Sequence, residues 1–179
     1  MAQEGYNKFF WGFLFIMFDF RIQGIDIMPN VIGYILFALG FQALANHSQY
    51  FAKAKIFNLI MIFISLFTIY QKPNTNEGMN WSPLGTVIGL VSQVLLLVVI
   101  YHLLMGTKEM ASKMNRFDLM EEAGRKWSQF LAFQLATVLL FIVFFIPPLF
   151  FMMVIGMFVV SIILMVSLMR LMKKCSTQL

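Results

Sequence analysis

Long apolar runs separated by short polar connectors dominate the hydrophobic pattern of this chain. Such runs predict membrane helices, because at 1.5 Å per residue most of them approach the ~30 Å hydrocarbon thickness of a bilayer. The predicted helices cover residues 6–20, 29–45, 56–70, 84–105, 130–146 and 149–170. The fourth run is the clearest span, and Pro147 and Pro148 separate the fifth run from the sixth.

The first run is the weakest of the six. Its uninterrupted apolar core covers only residues 9–18, so the helix either spans with local thinning of the bilayer or is re-entrant. The pattern therefore predicts six spans, or five if the first helix is re-entrant.

Residues 107–127 form a charged connector with helical periodicity. Met110, Met114, Phe117 and Met120 recur at three- and four-residue steps after Gly106, where we expect the fourth helix to end. The pattern predicts a cytoplasmic amphipathic helix that lies on the membrane face or docks on the bundle.

Composition supports a membrane protein. The chain has 179 residues, of which 60% are hydrophobic and only 12% are charged, whereas a soluble domain has about 25% charged residues. A soluble protein of this size could not cover so much apolar surface. We therefore expect an all-α, integral membrane helical bundle that forms a single domain, with the lipid bilayer as its main partner.

The basic residues predict the orientation of this bundle. With six spans and both termini inside, eleven of the thirteen Lys and Arg residues lie in inner connectors, and only Arg21 and Lys72 lie in outer ones. This bias favours cytoplasmic termini by the positive-inside rule. The net charge of +5 is thereby explained without a nucleic-acid partner. The single cysteine, Cys175, is expected to be an inert surface thiol in a cytoplasmic tail.

A polar stretch follows the first run, at Asp19, Arg21, Gln23 and Asp26. One interpretation is a polar mouth on the outer face, where an ion or ligand is first met. The other is a self-neutralising loop, in which Arg21 pairs with one aspartate and the other caps a helix.

Polar and small residues inside the apolar runs are candidates for packing or for a pore. Gln93, with Ser92 beside it, lies near the middle of the fourth run and could bond across helices or line a path. Gly85 and Gly89, and separately Ala132 and Ala136, have the four-residue spacing that permits close helix contact, within one chain or in a homodimer.

The sequence contains no catalytic motif that we can identify, and it predicts no cofactor. His47 and His102 are weak metal candidates, because neither has a cysteine or carboxylate at ligand spacing. We expect imidazoles at the membrane interface instead.

The segments Gly12-Phe-Leu-Phe-Ile-Met-Phe-Asp-Phe-Arg-Ile and Gly24-Ile-Asp-Ile-Met-Pro-Asn-Val-Ile-Gly-Tyr-Ile-Leu resemble those of small, uncharacterised multi-pass membrane proteins of low-GC Gram-positive bacteria. The resemblance covers roughly the first fifty residues. It implies a bacterial cytoplasmic membrane protein, and it implies no activity.

The leading hypothesis for function is a non-enzymatic accessory or interaction subunit, because catalytic motifs are missing and the soluble portion is small. A small transporter or channel for an ion or small solute is the second hypothesis. A membrane enzyme that acts on lipid is the third.

Overall fold

The computed structural model describes residues 2–17, 21–22, 25–26, 30–67, 83–143 and 147–179. This part of the chain is helical apart from one short antiparallel ladder, so the predicted all-α class is confirmed. The elements are α1 (Ala2–Met17), β1 (Arg21–Ile22), β2 (Ile25–Asp26), α2 (Asn30–Leu44), α3 (Gln49–Phe67), α4 (Pro83–Lys113), α5 (Phe117–Val143) and α6 (Pro147–Gln178).

Among the described residues, three helices are long and apolar enough to cross a membrane. The qualifying stretches are Gln49–Leu66 in α3, Gly85–Lys113 in α4 and Pro148–Gln178 in α6. Helices α1 and α2 have only 16 and 15 residues, which is about 24 Å and 22 Å of helix.

The six helices of the described part of the chain form a closed ring, in which each contacts the next and α6 returns to α1. Neighbouring helices are antiparallel. Consequently α1, α3 and α5 begin, and α2, α4 and α6 end, at the same end of the bundle. We call this the charged end, because it holds eleven of the thirteen basic residues. The opposite end is the apolar end.

Four glycines allow α1 and α2 to pack closely. A Cβ on Gly5 would lie 3.3 Å from the carbonyl oxygen of Gly40, and one on Gly33 would lie 2.8 Å from that of Gly12. The glycines of each helix are seven residues apart, which returns to the same face after two turns. The two backbones therefore approach as small-residue interfaces in membranes do.

The core is concentrated toward the charged end, where aromatic rings fill the space between α1, α2 and α3. The Phe9 ring packs at 4.8 Å from Phe41 and at 5.5 Å from Phe37, measured between ring centroids. Ring pairs at these separations add stabilisation beyond their buried area. The fully buried aromatic residues of this group are Tyr6, Phe9, Phe13, Phe37, Phe41 and Phe51.

The prediction that α4 ends at Gly106 is wrong, and so is the separate amphipathic helix over residues 107–127. Helix α4 continues through Gly106, where a Cβ would lie 2.7 Å from the Phe51 ring, so this glycine serves packing. The helix ends seven residues later, at Lys113, and Asn115 just beyond it adopts a left-handed conformation with φ 58°. The Arg116 amide donates to Ala111 and the Asn115 amide to Ser112, which closes a Schellman turn.

The predicted C-terminal tail is also helical. Helix α6 runs to Gln178, and the Ser176 hydroxyl donates to Asn7 Oδ1 of α1 at 3.1 Å. Cys175 is fully buried, so the expectation of a surface thiol is corrected. The last turns of α6 pack against α1 and α5. These contacts explain why the helix continues through a basic segment that the sequence pattern did not predict to be helical.

Exposed apolar side chains cover the apolar ends of α4, α5 and α6. Val87, Val94, Leu135, Val138 and Phe158 are each at least half exposed. A soluble protein would bury such residues, so this surface suits a lipid environment.

Candidate functional site

The turn between α2 and α3 docks on the last turns of α4 at the charged end. Ser48 caps α3 by accepting a hydrogen bond from the Tyr50 amide at 3.2 Å. The same hydroxyl donates to Glu109 Oε2 at 2.5 Å. Lys113 pairs with Glu109 at 2.6 Å and donates to the His47 carbonyl at 3.0 Å.

A cavity of about 450 Å³ lies beside this junction, with His47, Lys53 and Glu109 among its lining residues. The ammonium of Lys113, followed by the Ser48 hydroxyl, holds the pKa of Glu109 below its usual value. The carboxylate is therefore ionised at neutral pH and serves to fix the α2–α3 turn.

Ser48→Ala is expected to lower the free energy of unfolding by about 1 kcal/mol, the typical cost of a lost N-cap. The substitution removes both the cap on α3 and the bond to Glu109. Equilibrium unfolding in detergent measures the change. Ser128→Ala is the control, because that exposed hydroxyl donates to the carbonyl of Gly124 in its own helix and so joins no second element. Equal effects of the two substitutions would contradict the role of Ser48.

A second charged group joins the start of α5 to the end of α6. Arg116 contacts both carboxylate oxygens of Asp118 at 3.2 Å and donates to Gln178 Oε1 at 2.6 Å. Lys174 of α6 pairs with Glu122 at 2.9 Å and with Asp118 at 3.6 Å. The Arg116 guanidinium lowers the pKa of Asp118, and Glu122 raises the pKa of Lys174.

Acid is expected to weaken this junction. The pKa of Asp118 is lower in the folded protein than in the unfolded chain. The ionised carboxylate therefore stabilises the fold at any pH above its usual pKa of 3.8, and this stabilisation is lost as the pH falls through the lower, folded-state pKa. Thermal melting in detergent between about pH 6 and about pH 3 measures the loss. Asp118→Asn should show a smaller acid-induced shift than the wild type, whereas Glu121→Gln on the same helix should keep it. An unchanged shift in Asp118→Asn would refute the assignment.

His102 lies in an aromatic cluster. Its Nδ1 donates to the Val98 carbonyl at 2.8 Å, since a carbonyl can only accept. The ring lies 5.3 Å from Tyr101, 5.6 Å from Phe57 and 6.0 Å from Tyr50. The part of the chain that the structure describes holds no group of three or more His, Cys, Asp or Glu residues that could bind a metal.

A polar contact crosses the centre of the ring near the charged end. The Tyr6 hydroxyl of α1 donates to Thr107 Oγ1 of α4 at 3.4 Å and lies 3.7 Å from the Met110 sulfur. Thr107 in turn donates to the Leu103 carbonyl at 2.8 Å. Together with the aromatic core, these side chains fill the centre of the bundle at this level.

Amides lie closer to the apolar end. Gln134 of α5 is 7% exposed, and its Nε2 donates to the carbonyl of Gln93 in α4 at 3.2 Å. Asn58 of α3 is fully buried, and its Nδ2 donates to the Tyr34 carbonyl of α2 at 2.7 Å. The Oδ1 atoms of Asn58 and Asn30 are buried and accept no hydrogen bond from the residues whose positions are described.

The structure places some of the site residues predicted from the sequence and leaves others outside the described part of the chain. Asp19 and Gln23 lie outside the described residues, and the β1–β2 register places Arg21 opposite Asp26. The Ser92 hydroxyl donates to Ile88 of its own helix at 2.8 Å. A Cβ on Gly89 would meet no atom of the described residues within 4 Å. Contact at Gly85, Gly89, Ala132 and Ala136 between two copies of the chain stays a prediction.

The glycines of the α1–α2 contact and the side chains that bond between helices are not among the site residues predicted from the sequence. The seven-residue spacing from Gly5 to Gly12 and from Gly33 to Gly40 was visible in the chain and could have been recognised as a helix-packing signal. The roles of Asn58, Gln134 and Tyr6 depend on neighbours that are distant in sequence, so no local pattern marked them.

Comparisons of the chain with models of known protein families, with curated proteins and with solved structures find no match.

Proposed function

We propose that this chain is an integral protein of a bacterial cytoplasmic membrane, with its charged end in the cytoplasm. Support comes from the separation of charge and apolar surface along the bundle axis. The basic side chains of the charged end are Lys8, Lys53, Lys55, Lys108, Lys113, Arg116, Arg125, Lys126, Arg170, Lys173 and Lys174. Such a bias retains that end on the cytoplasmic side of a membrane.

Reporter fusions test this orientation. A fusion that truncates the chain after Asn76 is expected to report from outside the membrane, and one that truncates it after Met114 from the cytoplasm. A cytoplasmic signal from the Asn76 fusion would overturn the orientation.

Within the membrane, the chain acts as a non-enzymatic accessory or interaction subunit. The observation that carries this proposal is an exposed apolar pair on the α4–α5 turn, where Met114 is 45% and Phe117 is 63% exposed. Met114 lies six residues past Lys108, the first charged residue after the apolar run of α4, so it projects about 9 Å beyond that level. This is past the hydrocarbon layer, so lipid does not explain the exposure.

The surroundings of Phe117 suggest the chemistry of a partner. Phe117 and Met120 line a cavity of about 430 Å³ together with Lys108, Arg125 and Glu121. An apolar floor with a mostly basic rim fits an amphipathic protein segment with acidic side chains. An aromatic side chain in such a place is a common anchor of a protein interface.

A photo-crosslinking residue at position 117 tests the interaction role in living cells. We expect one discrete protein adduct, which disappears when Met120 is changed to Ser and Arg125 to Glu. The control position is Leu135, which is 61% exposed but lies in the apolar run of α5. Lipid adducts alone at both positions would refute the accessory role.

A small transporter or channel is the second candidate, favoured by the buried amides of Asn58 and Gln134 in the apolar part of the bundle. Solute flux through purified protein in liposomes should then be lost in Gln93→Leu and Gln134→Leu. The filled aromatic core near the charged end argues against a permanently open pore.

A further inference from the structure

We propose that the cavity between the α2–α3 turn and the end of α4 binds a phosphate group, and that a phospholipid of net negative charge supplies it. We call this space the junction cavity; its walls are residues 45–50 of the turn, Lys53 of α3, and Glu109 and Lys113 of α4. The inference rests on the proposed insertion of the bundle in a membrane. It goes beyond the accessory role by assigning a chemical class of ligand to a cavity in the described part of the chain.

The charges in the walls of the junction cavity do not cancel. The Glu109 carboxylate is occupied within the walls, because Oε1 pairs with Lys113 at 2.6 Å and Oε2 accepts from the Ser48 hydroxyl at 2.5 Å. The Lys53 ammonium forms no ion pair with any residue that the structure describes. Two lysines and one glutamate leave one positive charge, which an anionic ligand would balance.

Neutral hydrogen-bond donors complete the lining of the junction cavity. Asn46, His47 and Gln49 are exposed there, and each offers an N–H group from an amide or an imidazole. A phosphate group presents acceptor oxygens, so it matches an ammonium that is surrounded by such donors. The volume of about 450 Å³ falls within the roughly 300–1,000 Å³ of small-molecule sites. The space therefore suits a glycerophosphate headgroup better than a bare ion.

The depth of Lys53 corresponds to the membrane surface. Phe51 packs on Gly106, and α3 runs antiparallel to α4, so Lys53 is level with about residue 104 of α4. The first charged residue after the apolar run of α4 is Lys108, about 6 Å further toward the charged end. The long stem of Lys53 lets its ammonium reach from this boundary into the headgroup layer.

Aromatic side chains mark the same level independently. The Tyr101 ring of α4 lies 6.3 Å from Tyr50 of α3 and 5.0 Å from Trp127 of α5, measured between ring centroids. All three side chains are partly exposed. Tyrosine and tryptophan collect at the headgroup level of membrane proteins. Tyr50 itself lines the junction cavity, so the cavity lies where lipid phosphates are found.

An apolar stripe continues from Lys53 toward the apolar end. Ile56 and Ile60 lie three and seven residues further along α3, on the same face as Lys53. Their side chains are 63% and 43% exposed. A phospholipid whose phosphate contacts Lys53 can lay an acyl chain along this stripe, whereas a soluble phosphate compound would leave it uncovered. This arrangement favours the lipid as the source of the phosphate.

Lipid binding is measured by native mass spectrometry of the detergent-purified protein during titration with phosphatidylglycerol. Lys53→Gln should weaken binding of the first lipid about fivefold, the effect of one basic residue at a membrane surface. Lys53→Arg keeps the charge and should keep the binding. Lys55→Gln is the matched control, because it removes the same charge from α3 outside the junction cavity. Equal weakening by Lys53→Gln and Lys55→Gln, or weakening by neither, would overturn the site.

Two further probes identify the source of the phosphate. Phosphatidylcholine carries a phosphate but no net charge, so it should bind about fivefold more weakly than phosphatidylglycerol. Glycerol 3-phosphate in large excess should not displace phosphatidylglycerol, because it cannot cover the stripe of Ile56 and Ile60. Displacement that depends on Lys53 would identify a soluble phosphate compound as the ligand and would overturn the lipid assignment. Equal binding of the two lipids would overturn the role of charge.

Membrane insertion is checked separately from the site. In vesicles that contain phosphatidylglycerol, the wild type and Lys53→Gln should both resist extraction by alkaline carbonate, because one lysine does not hold the bundle in the bilayer. Extraction of the wild type would show that insertion itself is wrong. Resistance of both proteins, combined with equal lipid binding in the titration, would show that only the site is wrong.

Discussion

Gly12→Ala is expected to lower the free energy of unfolding by about 2 kcal/mol, within the range that overpacking of a filled core costs. A Cβ at this position would collide with the Phe37 ring and would lie 2.9 Å from the carbonyl oxygen of Gly33. The ring could tilt, but the carbonyl belongs to the α2 backbone, so relief requires α1 and α2 to separate. Equilibrium unfolding in detergent measures the loss.

The matched control for this prediction is Gly89→Ala. Both glycines are in helices within apolar runs, but a Cβ on Gly89 would meet nothing within 4 Å in the part of the chain that the structure describes. Alanine there should be neutral or stabilise the protein by up to about 1 kcal/mol through helix propensity. Were both substitutions equally neutral, close packing of α1 on α2 would not contribute measurably to stability.

These two glycines also show how far local sequence patterns reach. The four-residue spacing of Gly85 and Gly89 marks a helix face that could pack, and the seven-residue spacing of Gly5 and Gly12 marks another. Which face finds a partner in the same chain depends on the ring order of the helices. That order is a property of the whole fold, so spacing alone could not decide it.

Helix type was predictable, whereas helix ends were not. Apolar runs indicated helices in the right regions, because a membrane requires internally bonded backbone. Gly106 looked like a stop signal from its low helix propensity, yet packing against Phe51 holds it inside α4. The actual stop is Asn115, which tolerates the left-handed conformation that a Schellman turn needs.

The kind of polar contact between helices could be predicted from the sequence, but the residues that make it could not. A mid-membrane amide was expected to bond across helices, and one does, but the donor is Gln134 and Gln93 supplies only its backbone carbonyl. Asn58 could not be distinguished from an ordinary interfacial amide, because its burial depends on α2 lying beside α3. Only the first helix was expected to be a weak span, whereas α2 is shorter than α1 in the structure, at 15 residues against 16.

Cys175 is expected to react about 1000-fold more slowly with a thiol reagent at pH 8 than an exposed cysteine does, from its ionisation alone. Burial, and secondarily the charge of Glu122, raises the pKa of this thiol from 9.0 to about 12. Only the thiolate attacks the reagent, and its fraction falls tenfold for each unit by which the pKa rises above the pH. Cys175 lies beyond Arg170, outside the apolar run of α6, so the aqueous reagent reaches this end of the bundle.

Thr177→Cys in a Cys175→Ala background is the matched control for this reactivity, because residue 177 is exposed two positions further along α6. Labelling of Cys175 then requires the last turns of α6 to leave α1 and α5, so its rate reports the opening of that junction. Lys174→Ala removes the ion pairs with Glu122 and Asp118 and should therefore speed labelling of Cys175 without affecting the exposed control. Similar rates for Cys175 and the exposed control in the folded protein would show that the end of α6 is not packed against the bundle in solution.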